Sequence, residues 1–215
     1  MSRQIHACFV VLALCTTYAG TTYASSSSKS GLTPVTVDVF NDAGVAGPVL
    51  KSAELEAERI FEAARIQIRW GNCPPAQGAP ADPSCHALRA PNHLSLRILP
   101  GANKQNDDIF GVAFLAADGT GAYGDVFYGS VEKLRADGHS NIARLLGHVM
   151  THEIGHLLIG SHAHAPWGIM AAKWHDQELR RLEMGTLFFT AEQEKSMYSR
   201  LHGGSTVIVN LADKR

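Results

Sequence analysis

The chain has 215 residues, 45% of them hydrophobic, enough for one domain with a substantial core and too few for two large ones. A formal net charge of -1 excludes the basic field that gathers nucleic acid or anionic lipid, so no nucleic-acid partner is expected.

Residues 1–24 read as a signal peptide: Arg3, an apolar run from Ala7 to Leu14, then small and polar residues ending in Thr22-Tyr23-Ala24. The run falls well short of the roughly 20 residues of a spanning helix, and no later run approaches that length. The mature chain is therefore expected to carry no integral membrane segment and to be secreted or periplasmic. Leu14 before Cys15 argues against lipoprotein processing, which needs a small side chain there. Signal removal takes Cys8 and Cys15 and leaves Cys73 and Cys85, which are expected to pair in an oxidising compartment and pin the Pro-rich loop between them. Their spacing is too long for a zinc knuckle.

Residues 25–33 are a Ser-rich linker, and order is expected to begin near Pro34. Val35, Val37 and Val39 alternate with polar residues as a half-buried strand. Pro48 opens an amphipathic helix through Ala64, with apolar residues at helical spacing. Ile66, Ile68 and Trp70 give a second strand and His93 to Leu99 a third. Gly111–Ala117 and Ala122–Val131 read as two further strands around Asp118-Gly119-Thr120-Gly121. Asn141 caps a long helix through Ile159, and Gly160 supplies a left-handed stop. A charged stretch covers Asp176 to Arg181, and Thr190-Ala191-Glu192-Gln193 is a capping box that opens a last helix. A single catalytic domain over 34–202 is expected, with a short tail over 203–215.

The helix ending at Gly160 carries His152-Glu153-Ile154-Gly155-His156, the HExxH pattern. Side chains four apart share a helix face, so two imidazoles can converge on one zinc at about 2.0 to 2.1 Å. Glu153, one step round, cannot ligate that ion from the same face but can reach a water activated by it, which makes it the candidate general base. Ile142, Leu145, Leu146 and Val149 before the motif, and Leu157 to Ile159 after it, bring these polar groups inside an apolar helix. Unmatched, they would be costly there, and a metal supplies the match. His148 is too far along the helix to share one zinc with both motif histidines, so it reads as structural or as a support for the ligands. An open catalytic zinc takes three protein ligands and a water, and His162 and His164 are the candidates for the third.

The stretch from His152 to Met170 resembles the metzincin zinc peptidases, whose pattern is HExxHxxGxxH followed by a methionine turn beneath the metal. Laid without gaps on the matrixin branch, His162 takes the third-ligand place and Met170 that of the turn methionine. One departure is visible: Ile159 holds the glycine place and Gly160 comes one residue late. The run HEIGHLLIGSHAHAPWGIM is also similar to an uncharacterised group of bacterial exported proteins in which the histidine matching His164 is the one present. The metal set taken forward is His152, His156 and His164, with His162 as the alternative third ligand. The resemblance implies a zincin-like α+β fold: a mixed, mostly parallel sheet, two long helices of which one carries HExxH, and a small helical C-terminal part. Gly111–Ala117 or Ala122–Tyr128 would then lie along the cleft and pair with an extended peptide. Tyr123 and Tyr128 are weaker candidates as oxyanion donors, and Trp167 and Trp174 flank the methionine loop.

The expected activity is that of a secreted zinc metalloendopeptidase, with one zinc per chain, a peptide or protein substrate, and Glu153 as base. The chain is expected to be a monomer. The rival is a secreted zinc-binding or interaction module on the same fold, which needs the histidines but not Glu153. Metal scavenging fits poorly, because outside the motif region the 11 histidines are scattered.

Overall fold

Val35, Val37 and Val39 are buried to within 1% of complete exclusion from solvent, so the alternation does mark a strand, β1 (Thr33–Asn41), with one face in the core. The computed structural model describes residues 31–73, 85, 92–101, 109–136 and 141–203. The expected signal peptide, the Ser-rich stretch up to residue 30 and the tail from residue 204 lie outside the described residues.

Helix α1 (Gly47–Ala63) starts with Pro in its first turn and buries Leu50, Ala53, Ala57, Ile60 and Phe61, the stripe that 3.6 residues per turn places on one side. The chain returns through β2 (Ile66–Cys73), then β3 (His93–Leu99), β4 (Gly111–Phe114) and β5 (Tyr123–Phe127). Helices α2 (Tyr128–Ala136), α3 (Ile142–Ile159), α4 (Asp176–Glu183) and α5 (Ala191–Gly203) follow among the described residues. The five strands form one sheet in the order β2-β1-β3-β5-β4. Every pairing is parallel except β4 with β5, so β4 is an antiparallel edge strand. Helices α1 and α3 pack on each other and along the sheet, α1 against β2 and α3 against β3, β4 and β5. Leu94, Leu96, Ile98 and Val126 from the sheet meet Leu145, Val149, Ile154 and Leu157 from α3 in one apolar cluster.

The fold differs from the sequence expectation after Phe127. The strand expected to run to Val131 ends there, and Tyr128 opens α2. Two backbone bonds set the change: Phe127 N–H to Phe110 O at 2.7 Å, and Gly129 N–H to Pro100 O at 2.8 Å. The second turns the chain out of the sheet, and no local propensity signals it. The charged stretch is a short helix, α4, with only Leu179, Leu182 and Glu178 buried, and its first turn is closed by His175 N–H bonding Glu178 Oε2 at 3.2 Å. Cys73, the last residue of β2, is disulfide-bonded to Cys85 with Cα atoms 5.8 Å apart. Among the described residues no helix is long and apolar enough to cross a membrane.

Candidate metal centre

Helix α3 holds the motif because both of its ends are fixed. Asn141 Oδ1 accepts the Ala143 N–H at 2.9 Å, and Gly160 stops the helix at φ 73°, a left-handed conformation that side chains with a Cβ rarely adopt. The chain then turns so that the Ser161 carbonyl and the His164 ring come back toward the helix.

Three imidazoles meet there. Each of the first two has one ring nitrogen committed to a backbone carbonyl: His152 Nδ1 lies 2.7 Å from Ile169 O, and His156 Nδ1 lies 2.7 Å from Ser161 O. A carbonyl only accepts, so each Nδ1 carries the hydrogen and each Nε2 presents a bare lone pair. Those two lone pairs converge, with the Nε2 atoms of His152 and His156 3.0 Å apart, and His164 Nε2 stands 3.3 Å from that of His156. With neutral rings of this tautomer, the first of these contacts has no hydrogen to share. Tetrahedral ligands about 2.05 Å from one ion would sit roughly 3.3 Å apart, which matches this spacing. Ligand atoms of His152, His156 and His164 all lie within 4.8 Å of one another, so the group could hold a metal ion.

Burial favours the neutral, ligating form of His152 and His156, whereas His164 is exposed and only partly desolvated. Burial pushes His152 down to about 3, with His156 and His164 adding to the shift, and it lowers His156 and His164 as well. His162, the alternative third ligand, is exposed and stands outside the cluster of converging nitrogens. His148 is fully buried, and its Nδ1–H donates to Arg144 O at 2.9 Å one turn back. It supports the helix and does not turn toward the cluster.

Glu153 is 4% exposed and projects toward β4. A Cβ added at Gly111 would stand 2.6 Å from Glu153 Oε1 and 2.6 Å from Asp125 O, so the carboxyl group occupies the space that Gly111 leaves open. Burial, with Asp125 adding repulsion, raises the Glu153 carboxyl to about 8 in the metal-free chain. Met170 is buried, and a Cβ at Gly155 would stand 2.7 Å from its sulfur, so it packs directly beneath the helix between the two motif histidines. Its carbonyl accepts the Ala165 N–H at 2.8 Å, which closes the loop running from His164 to Met170.

Two weaker candidates lie elsewhere. Tyr123 pairs with Phe114 and donates its hydroxyl to Asp125, on the sheet face opposite to that of Gly111 and Val126, and burial raises it to about 12. Tyr128 opens α2 and packs against the core cluster. Of the two segments expected along the cleft, β5 is paired on both sides, by β3 and β4, whereas β4 is paired with β5 alone among the described residues. The residues missed in the sequence are Gly111 and the carbonyls of Ile169 and Ser161. A glycine at the mouth of a strand is a usable sign of close backbone approach. Backbone acceptors leave no sequence signal.

No family model matches the sequence, and no curated protein matches it. Solved structures do. A zinc-dependent peptidase from Methanocorpusculum labreanum matches with a TM-score of 0.51 at 15% identity, covering 75% of this chain and 99% of that one. Metalloproteinase-II from Bacteroides fragilis matches with a TM-score of 0.50 at 11% identity, covering 78% of this chain and 53% of that one, so this chain spans about half of its length. At such identities the likeness is one of fold, and the fold is zincin-like: a mostly parallel mixed sheet with an antiparallel edge strand and two long packed helices, one of them carrying HExxH.

Proposed function

We propose that this chain is an exported zinc-dependent metallopeptidase that hydrolyses peptide bonds, with one zinc held by His152, His156 and His164 and with Glu153 as general base. The observation that carries the reading is the convergence of three imidazole Nε2 atoms, two of them left bare by carbonyl bonds on the far side of the ring, beside a buried carboxyl group. Nitrogen donors in this number suit zinc, and three protein ligands leave a fourth position open for chemistry.

Zinc, when bound, supplies Lewis acidity, lowering the pKa of a water toward about 7 and polarising a carbonyl oxygen. The protein's own part is orientation and proton movement. The Ile169 and Ser161 carbonyls hold the His152 and His156 rings so that Nε2 faces the metal position. Glu153, held against Gly111, takes a proton from the attacking water at its carboxylate oxygen and returns it to the departing amine nitrogen. A nearby cation favours the ionised carboxylate and so opposes the burial that raises Glu153 in the metal-free chain. The outer edge of β4, Gly111–Phe114, suits an extended peptide added antiparallel or parallel to the sheet, which would carry its backbone past Glu153. Export through residues 1–24 accords with the Cys73–Cys85 bridge, which needs an oxidising compartment.

The test compares the zinc-loaded mature protein with Glu153→Gln on a mixed peptide library. Loss of a positioned base lowers the rate by about 10² to 10⁴. Equal cleavage by both proteins would refute the assignment of Glu153. Zinc-dependent melting with no cleavage by either would favour a binding module.

A further inference from the structure

Trp174 lies between the Met170 turn and α4, and the mechanism above makes no use of it. Its indole N–H donates to Ile169 O at 3.2 Å, the same carbonyl that takes the His152 Nδ1–H at 2.7 Å. The ring also meets His152 edge-on, with centroids 6.1 Å apart at 77°, and His148 edge-on at 6.2 Å and 85°. On another side it stacks on Phe110 at 6.3 Å and 15°. Phe110 immediately precedes β4, and its carbonyl is fixed by the Phe127 N–H.

The Ile169 peptide sits in a loop, where no sheet ladder sets the direction of its carbonyl. A single bond to an imidazole that can itself rotate about its side-chain torsions would leave both groups free to turn together. A carbonyl has two lone pairs, and the second donor removes that freedom. Trp174 is suited to be the second donor because its own plane is held from outside the loop, by the Phe110 stack. Simple packing would need an apolar ring in this place. It would not need the indole N–H aimed at the carbonyl that orients His152.

We propose that Trp174 is a positioning residue for the metal centre: by sharing the Ile169 carbonyl it fixes the ring of His152, and through Phe110 it ties that ring to the start of the edge strand β4. The inference rests on the metal role given to His152. It predicts that Trp174→Phe, which keeps an aromatic ring and removes the donor, weakens zinc binding by about 10- to 100-fold, the range seen when a partner behind a metal-bound histidine is lost.

Zinc affinity is measured by competition with a chromophoric chelator, for the parent and for Trp174→Phe, with metal-free melting as the control for folding. A variant that melts like the parent and binds zinc at least tenfold more weakly supports the proposal. A folded variant whose affinity falls by less than tenfold overturns it and leaves the metal reading intact, whereas a parent that binds no zinc overturns both. If Trp174→Phe fails to fold, exchange of the indole N–H protons in the unsubstituted protein decides. Zinc loading is then expected to slow exchange at Trp174 at least tenfold and to leave the exposed Trp167 unchanged, and unchanged exchange at Trp174 overturns the proposal.

Discussion

Replacing Gly111 by alanine tests whether the strand edge, and not only the helix, places Glu153, the proposed base. The added Cβ would stand 2.6 Å from Asp125 O, 2.6 Å from Glu153 Oε1 and 2.7 Å from Glu153 Cδ, whereas ordinary contact begins at 3.4 Å. Something must therefore yield by about 0.8 Å in each direction. Asp125 O belongs to β5, which is paired on both sides and cannot retreat without breaking two ladders. Edge strand β4 and the Glu153 side chain are the parts that can move. A displacement near 1 Å from productive geometry costs up to about 100-fold in rate. The expected result for zinc-loaded Gly111→Ala is a fall in kcat of roughly 10- to 100-fold. Zinc affinity should be unchanged, because no cluster histidine is among the three nearest atoms to the new methyl group. Gly101→Ala is the control, since a Cβ there meets nothing within 4 Å. Steady-state kinetics on a cleaved peptide, with a chelator titration alongside, would read both quantities. A folded Gly111→Ala protein with parental kcat/KM would refute the placement of Glu153 by this glycine.

Three further outcomes are expected. Gly155→Ala would put a methyl group 2.7 Å from Met170 Sδ and 2.9 Å from Phe189, an overpacked contact costing about 1 to 3 kcal/mol, read as a lower melting temperature. Zinc at about 1,000 times its Kd should add about 4 kcal/mol and raise the melting temperature by about 10 °C, an increment that a chelator removes and that His156→Ala lacks. In the metal-free protein Glu153 is raised from 4.5 to about 8, so its contribution to stability is full below pH 4.5, declines as pH rises, and is lost above pH 8. Glu153→Gln should therefore be more stable than the parent at pH 9, by about 5 kcal/mol at most, and should show little difference at pH 4.

The parts of the fold legible in the sequence are those whose signals are local. Asn141 and Gly160 bounded α3 because a side-chain acceptor and a left-handed residue act on their own helix ends. The Thr190 box is equally local: Thr190 N–H bonds Gln193 Oε1 at 2.8 Å, and Gln193 N–H bonds Thr190 Oγ1 at 3.3 Å. The start of α2 was hidden because Phe127, Tyr128 and Val131 favour strand, and the bond that overrides them comes from Pro100, 29 residues before Gly129. In the candidate site, the spacing of His152 and His156 made their convergence readable, whereas the arrangement around them was not. Ile169 O, Ser161 O and the void at Gly111 are properties of backbone paths that only the folded chain brings together.

The one-residue delay of Gly160 shows how such a path decides which histidine closes the cluster. With the helix continued through Ile159, the N–H groups of Gly160 and Ser161 both bond His156 O, at 2.8 and 3.3 Å, so the chain leaves the helix directly above the second motif histidine. Ser161 is then placed to offer its carbonyl to His156 Nδ1, and in doing so it is committed to the turn. His162, the next residue, is exposed and has no ring nitrogen in the cluster. The chain needs two more residues to come back, and the Ala163 N–H bond to Ser161 Oγ at 3.0 Å bends it that way. His164 is the first histidine after the bend, and its Nε2 arrives 3.3 Å from that of His156. Moving the stop back, by placing glycine at Ile159 and a non-glycine residue at Gly160, would withdraw the Ser161 carbonyl from His156 and bring His162 toward the cluster in place of His164.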